Sequence, residues 1–269
     1  MSGFSAQWLA LREPYDARAR DAAVLDAIAA AFRGRTAISV VDLACGTGST
    51  LRALGPRLPS RQDWLLVDND LSLLAQASAL GRPPDVTVTA RPVDLARDLE
   101  MALDGPLELI TASALLDLVS AEWLERLAIE AATRRLPVYA ALTYQGRASL
   151  EPAEPFDLEV VAALNRHQRR DKGFGPALGP EAGVRAVQSF ERVGYRVLPG
   201  ESDWRFGPQD REIQLQVLAG WLAAARELGE LPEAALVAWH ARRREAVALG
   251  RSSMRIGHLD LFATPIDTR

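Results

Sequence analysis

Two aspartates and two glycines define the chemistry open to this chain of 269 residues. The segment Val40-Val41-Asp42-Leu43-Ala44-Cys45-Gly46-Thr47-Gly48 closes a β-rich apolar run and leads into a helical stretch from Ser49. Glycines at such a junction let the backbone approach a ligand closely, and the amides of a helix start meet its polar end. Asp68 ends a second apolar run 20 residues after Gly48, where a carboxylate accepts both hydroxyls of a ribose. Two kinds of adenosine cofactor use that geometry. A dinucleotide needs a third glycine three residues on, and Leu51 stands there. Asp42 would repel a pyrophosphate but suits a ligand carrying an ammonium and a sulfonium. The residues therefore point to a methyl donor. The competing view, that Gly46 and Gly48 only make a tight turn and Asp68 only caps a helix, does not account for motif, spacing and context together. Cys45 reads as a small packing residue in the turn.

These side chains need a sheet to position them, and the pattern supplies one. Apolar runs at 37–43, 64–68, 86–90, 107–111 and 137–143 alternate with helical stretches at 49–58, 71–80 and 121–134. Such alternation implies right-handed βαβ units, an α/β class and a doubly wound, mostly parallel sheet covered on both faces. Residues 5–32 read as helix with a break at Pro14. A helix at 180–193, a strand at 195–198, helices at 212–227 and 233–248, and a last strand at 254–263 complete the chain. The reading is one domain over 1–269, with an N-terminal helical lid at 1–35 and insertions at about 146–180 and 205–252.

With these residues in hand, the chain resembles the class I S-adenosylmethionine-dependent methyltransferases. Val41-Asp42-Leu43-Ala44-Cys45-Gly46-Thr47-Gly48 matches that family's first motif, and Leu66-Val67-Asp68-Asn69-Asp70 looks like its ribose-holding second. Val93-Asp94-Leu95 resembles the stretch whose aspartate lies beside the adenine amino group. Leu109 to Asp117 resembles the fourth-strand motif on the methionine and substrate side. The resemblance spans roughly 36–145 and the last strands. It implies a Rossmann-like seven-stranded sheet in the order 3-2-1-4-5-7-6 with the last strand antiparallel. It also implies S-adenosyl-L-methionine as cofactor and S-adenosyl-L-homocysteine as product, with Asp42, Ala44, Gly46, Gly48, Asp68, Asn69, Asp94 and Ser113 as cofactor-binding residues.

Methyl transfer from a sulfonium is an in-line displacement, so alignment, water exclusion and deprotonation of the acceptor are the protein's tasks. Candidates belong outside the carboxyl ends of the parallel strands. Thr143-Tyr144-Gln145, leading to Arg147, form one group. Asn165 to Pro176 form a second, with Arg166, His167, Arg170 and Lys172, the single lysine among 31 basic residues. This segment reads either as an anion-binding site with His167 as base or as a solvated helix end. The last strand gives a third group, where alternation puts His258 and Asp260 on one face. They form either part of the site or a structural pair. His167, Tyr144 and His258 are the catalytic candidates, and Arg147, Arg166, Arg170, Lys172 and Trp204 the substrate-binding ones. Trp204 and Phe206 would roof the pocket, while Trp8, Arg12, Tyr15 and Arg18 would close over the cofactor. His240 faces solvent and Ile213–Ala225 packs a core stripe.

Composition trims the possibilities. A net charge of −4 and ordinary apolar (48%) and charged (25%) content argue against disorder and against a surface built wholly to grip nucleic acid or membrane. One cysteine excludes a cysteine-cluster zinc site and internal disulfides, and no metal is expected. No apolar run reaches membrane-span length and the N-terminus lacks a signal-like stretch, so a cytoplasmic protein is expected. The chain lacks the (D/N)-P-P-(Y/F) motif of amino-methylating DNA enzymes and a cysteine placed for cytosine C5 chemistry. The leading reading is methyl transfer to an O or N atom of a small metabolite, an anionic one suiting the basic segment. The alternatives are a tRNA or rRNA methyltransferase using Arg147, Arg166, Arg169 and Arg170, a catalytically silent cofactor-binding scaffold, and an NAD-dependent oxidoreductase. A homodimer is left open.

Overall fold

The computed structural model describes residues 4–79, 81 and 83–266. The first three residues of the expected lid, Leu80 at the end of an expected helix, and the last three residues lie outside them. Every expected strand forms. β1 (Ala37–Leu43) lies between β2 (Arg61–Asp68) and β4 (Leu109–Ser113), all parallel. β3 (Val86–Pro92) flanks β2, and β5 (Val138–Glu151) flanks β4. β8 (Ser253–Pro265) runs antiparallel between β5 and β6 (Tyr195–Glu201), and a three-residue strand, β7 (Trp204–Phe206), also pairs with β8. The order is β3-β2-β1-β4-β5-β8-β6. With β7 set aside, this is the expected 3-2-1-4-5-7-6 sheet with its last strand antiparallel.

Apolar residues on alternate strand positions bury both faces of the sheet. One face, with Val40, Trp64, Leu66, Leu109 and Phe262, is covered by α2 (Ala22–Ala31), α3 (Ser49–Leu54) and α4 (Leu71–Ala79). The other, with Val41, Val67, Ile110 and Leu261, is covered by α6 (Ala121–Arg134) and α8 (Ala182–Arg192). β5 and β8 run past the rest of the sheet. Their overhang carries a further core with α7 (Phe156–Gln168), α9 (Arg211–Leu228) and α10 (Glu233–Ala248).

Two boundaries differ from expectation. The N-terminal helix does not break at Pro14. α1 (Ala6–Ala19) passes through it, because Pro14 and Ala10, whose carbonyl the missing N–H would have met, both face solvent. The break falls at Arg20-Asp21, where the Asp21 carboxylate accepts the Val24 amide and caps α2. The insertion expected from residue 146 begins later, since β5 continues to Glu151 past irregularities between Ala140 and Ala148. Leu142 takes a φ of +55° at the first of these, and its amide donates to Asp260 at 2.8 Å.

The overhanging core depends on one buried ion pair. Arg243 is wholly buried, donates from Nε to Asp157 Oδ1 at 2.9 Å and from Nη1 to the Pro152 carbonyl at 2.7 Å, and pairs through Nη2 with Asp157 Oδ2. Trp239 Nε1 donates to the same carboxylate at 2.8 Å. Removing one partner strands the other charge out of water, so Asp157→Ala is expected to lower the unfolding free energy by about 3–5 kcal/mol, read by urea denaturation.

Candidate active site

The strand register brings the chemistry-bearing residues together. Asp42 stands level with Thr111, and Thr111 with Tyr139, so the three point to one face of the sheet. Beyond β1 the chain turns through Ala44 (φ +51°), Gly46 (φ +54°) and Gly48 (φ +80°) into α3. Asp68, at the end of β2, holds this turn: Oδ2 accepts the Gly46 amide at 2.9 Å and Oδ1 accepts the Asp70 amide at 3.0 Å. Asp70 in turn caps α4 by accepting the Ser72 and Leu73 amides. Cys45 is buried in the turn, and burial, together with Asp42 and Asp68, raises its thiol far from a nucleophile's range.

Asp42 is fully buried. Oδ1 accepts the Thr111 hydroxyl at 2.8 Å, while Oδ2 has no hydrogen-bond partner. Burial pushes this carboxyl up to about 7, against the pull of the Thr111 hydroxyl, the Arg20 guanidinium and the nearby Thr50 hydroxyl. Arg20 is buried as well. It donates to the Tyr139 hydroxyl at 3.0 Å and to the Ser113 hydroxyl at 3.3 Å, and its Nε is unpaired. Tyr139 passes the contact on to Asp260 Oδ2 at 3.1 Å. Arg20 closes a stripe on α1 that the sequence reading missed, in which Arg12, Asp16 and Arg20 recur one turn apart and point inward. Arg12 and Asp16 are joined at 2.8 Å, and the Arg12 guanidinium stacks 4.9 Å from the Trp204 ring, whose Nε1 donates to Asp16 at 2.8 Å. The three-four spacing of opposite charges was the available signal.

α1 lies over the turn. Leu9 rests on Gly46, where an added Cβ would stand 3.1 Å from Cδ1. Glu13 pairs with Arg52, whose Nη1 donates to the Thr47 carbonyl at 2.7 Å. The cleft left between α1 and α3, lined by Asp16, Arg20, Ser49 and Arg52 among others, encloses about 100 Å³.

The remaining expected cofactor residues lie at the rim. Asn69 is exposed, and Asp94 is exposed, accepting the Ala96 amide at 3.1 Å and pairing with Arg97. Of the acceptor candidates, Tyr144, His258 and Trp204 come together. The His258 ring lies 4.9 Å from Trp204 and 6.0 Å from Tyr144. His258 does not pair with Asp260, which is occupied by Tyr139 and the Leu142 and Asp21 amides. Instead its Nδ1 sits 3.1 Å from the Ile256 carbonyl, which places the proton on Nδ1 and the lone pair on Nε2. Burial, aided by Arg12, pushes this imidazole down to about 3. The Tyr144 phenol donates to Asn165 at 2.8 Å and is held protonated by burial and by Asp117, which suits positioning rather than proton abstraction. Asp117, buried beside it, is raised to about 6 by burial.

The basic segment is matched locally. His167 and Arg170 meet Glu227, Arg166 meets Glu230, and Lys172 lies 3.4 Å from His167 Nδ1. Arg147 contacts Gln145, Glu201 and Asp203. None of these bonds reaches the turn at Gly46. No group of three or more metal-ligating side chains occurs among the described residues. No helix among them is long and apolar enough to cross a membrane.

No protein-family model matches the chain, and no curated protein matches it by sequence. Solved structures do resemble it. A cyclopropane-fatty-acyl-phospholipid synthase-like protein from Lactobacillus casei aligns at 14% identity over 97% of this chain and 94% of its own, with a TM-score of 0.54. The cyclopropane synthase MmaA2 from Mycobacterium tuberculosis aligns at 10% identity over 88% and 83%, with a TM-score of 0.45. The mycolic acid cyclopropane synthase CmaA1, solved with SAH and CTAB, aligns at 12% identity over 88% and 83%, with a TM-score of 0.47. The sheet order and the first of these likenesses show that the chain shares that protein's fold, a Rossmann-like, mostly parallel sheet with an antiparallel strand near one edge.

The two buried titratable groups carry opposite pH signatures. Asp42 is raised in the folded chain, so the stability it contributes is present at acid pH and lost as pH rises through about 7. His258 is lowered, so its contribution is present above the ordinary histidine range and lost as pH falls toward about 3. In urea denaturation from pH 4 to 8, Asp42→Asn should gain on the wild type as pH rises, by up to about 1.4 kcal/mol per pH unit. His258→Gln should gain as pH falls.

Proposed function

We propose that this chain is an S-adenosylmethionine-dependent methyltransferase acting on an O or N atom of a small molecule. The observation that carries the reading is two neighbouring unsatisfied buried atoms, Asp42 Oδ2 near the end of β1 and Arg20 Nε just after α1. A buried carboxylate oxygen and a buried guanidinium nitrogen without partners are costly unless a ligand completes them. Together they match an amino-acid group, whose ammonium suits Asp42 and whose carboxylate suits Arg20. Asp68 retains lone pairs for ribose hydroxyls while holding the turn. The residues present therefore fit the methyl donor and do not fit a pyrophosphate. SAH in the CmaA1 structure is a property of that protein and serves here only as the choice of probe.

When bound, S-adenosylmethionine supplies a methyl group on a sulfonium, open to in-line displacement. The chain's own residues do the rest. Asp42, Arg20 and Asp68 fix the donor, and Ser113 and Tyr139 fix Arg20. Trp204, Tyr144 and His258 line the side on which an acceptor would align, with Nε2 of His258 left to accept a hydrogen bond from it, a positioning role that suits an imidazole held neutral by burial. Leu9 on Gly46 and Glu13 on Arg52 cover the turn from α1, so a donor entering there would part these contacts. A cytoplasmic setting suits a chain with a single cysteine.

Calorimetric titration with S-adenosylhomocysteine tests the reading. Micromolar binding is expected for the wild type and none for NADH. Asp68→Ala, Asp42→Asn and Arg20→Ala should each weaken it about tenfold or more, equivalent to ~1.4 kcal/mol. A folded wild type that binds no S-adenosylhomocysteine would sink the proposal and favour the scaffold. In hydrogen exchange, residues 6–19 should change protection on binding, and an unchanged α1 would refute its movement.

A further inference from the structure

The sequence offers residues 165–176 either as an anion site or as a solvated helix end, and there Glu227 and Glu230 answer the basic side chains. Uncompensated positive charge lies elsewhere. A groove of about 310 Å³ runs between α1 and the bend from β6 to β7, lined by Tyr15, Arg18, Ala19, Glu201, Asp203 and Arg205. It shares no lining residue with the cleft at α3.

The charge accounting is one-sided. Asp203 is met by Arg255 at 2.5 Å and by Arg147 at 3.9 Å, and it accepts the His258 amide at 3.0 Å. Glu201 is met by Arg255 at 3.3 Å and by Arg147 at 3.5 Å. Both acids of the groove are thus satisfied from behind. Asp210, next along, accepts the Tyr15 hydroxyl at 3.0 Å and the Gly207 amide at 2.7 Å. Arg18 stands 4.6 Å over the Tyr15 ring, and neither it nor Arg205 has a carboxylate within 4 Å among the described residues. A second observation comes from strand register. Arg205 on β7 lies directly opposite Arg255 on β8, and like charges opposed across a ladder destabilise it. Arg255 is already engaged by Asp203 and Glu201, and among the described residues no carboxylate pairs with Arg205.

We propose that this groove binds a small organic anion, its carboxylate or phosphate held between Arg18 and Arg205 with the rest of the molecule against Tyr15. Guanidinium forks match either oxyanion, and the volume suits a small metabolite rather than a polymer. The proposal does not depend on the methyl-transfer reading, because its test reads stabilisation by an anion and not S-adenosylhomocysteine binding.

The test is thermal unfolding of the full chain titrated with inorganic phosphate and, in parallel, with malonate, at ionic strength held constant with sodium chloride. A saturable rise in Tm is expected with at least one probe, and the larger shift identifies the preferred oxyanion. Arg18→Gln/Arg205→Gln should abolish the rise, while Arg166→Gln/Arg170→Gln should retain it. Without any anion, Arg205→Gln should leave Tm unchanged or raise it, because the opposition to Arg255 is removed. The proposal is overturned if neither probe gives a saturable shift or if the groove variant keeps it. It is also overturned if Arg205→Gln alone lowers Tm, which would show that Arg205 is paired within the protein.

Discussion

Arg12, Asp16 and Arg20 are the charges around which the rest of this molecule is arranged. Burying three charged side chains on one helix is tolerable only where each meets a partner. The partners here come from far along the chain: Trp204 for Asp16, the Trp204 ring for Arg12, and Tyr139 and Ser113 for Arg20. Because these partners stand at the carboxyl end of β4, near the start of β5 and on β7, satisfying the stripe seats α1 across the sheet. That seat places Leu9 on the glycine turn and Arg20 beside Asp42. The lid and the floor of the candidate site are one electrostatic unit.

Asp260 extends this unit into the antiparallel strand. Its two oxygens accept the Leu142 amide, the Asp21 amide and the Tyr139 hydroxyl. One carboxylate thereby fixes the irregularity in β5, the junction of α1 with α2, and the residue that orients Arg20. Past the irregularity, β5 and β8 continue together as the platform for α7, α9 and α10. Tyr144 and His258, which we propose face the acceptor, stand at the root of that platform. A change in the overhanging core would therefore be transmitted to them through the strands themselves.

Much of this was legible in sequence because the signals are local. Short apolar runs alternating with helical stretches gave the strands and their parallel direction, while the strand order was implied by the family resemblance. Asp42, Gly46, Gly48 and Asp68 declared themselves by spacing within single βα units. Pro14 misled because a proline in a helix is tolerated where the lost bond faces water, and facing is a tertiary property. The basic segment at 165–176 reads two ways in sequence, as an anion site or as a solvated helix end, for a related reason. Its neutralising partners sit about 60 residues away on α9, and sequence shows a charge without showing what answers it.

The chain by itself determines the sheet, its glycine turn and the carboxylates at the ends of β1 and β2, since each depends on residues close in sequence. Only the tertiary structure decides which charges turn inward and which are left unanswered. Arg20 meets Tyr139 across 119 positions and Asp16 meets Trp204 across 188. Arg205 meets Arg255 only because β7 pairs with β8. Electrostatic partnership acts over a few ångströms in space, whatever the distance along the chain.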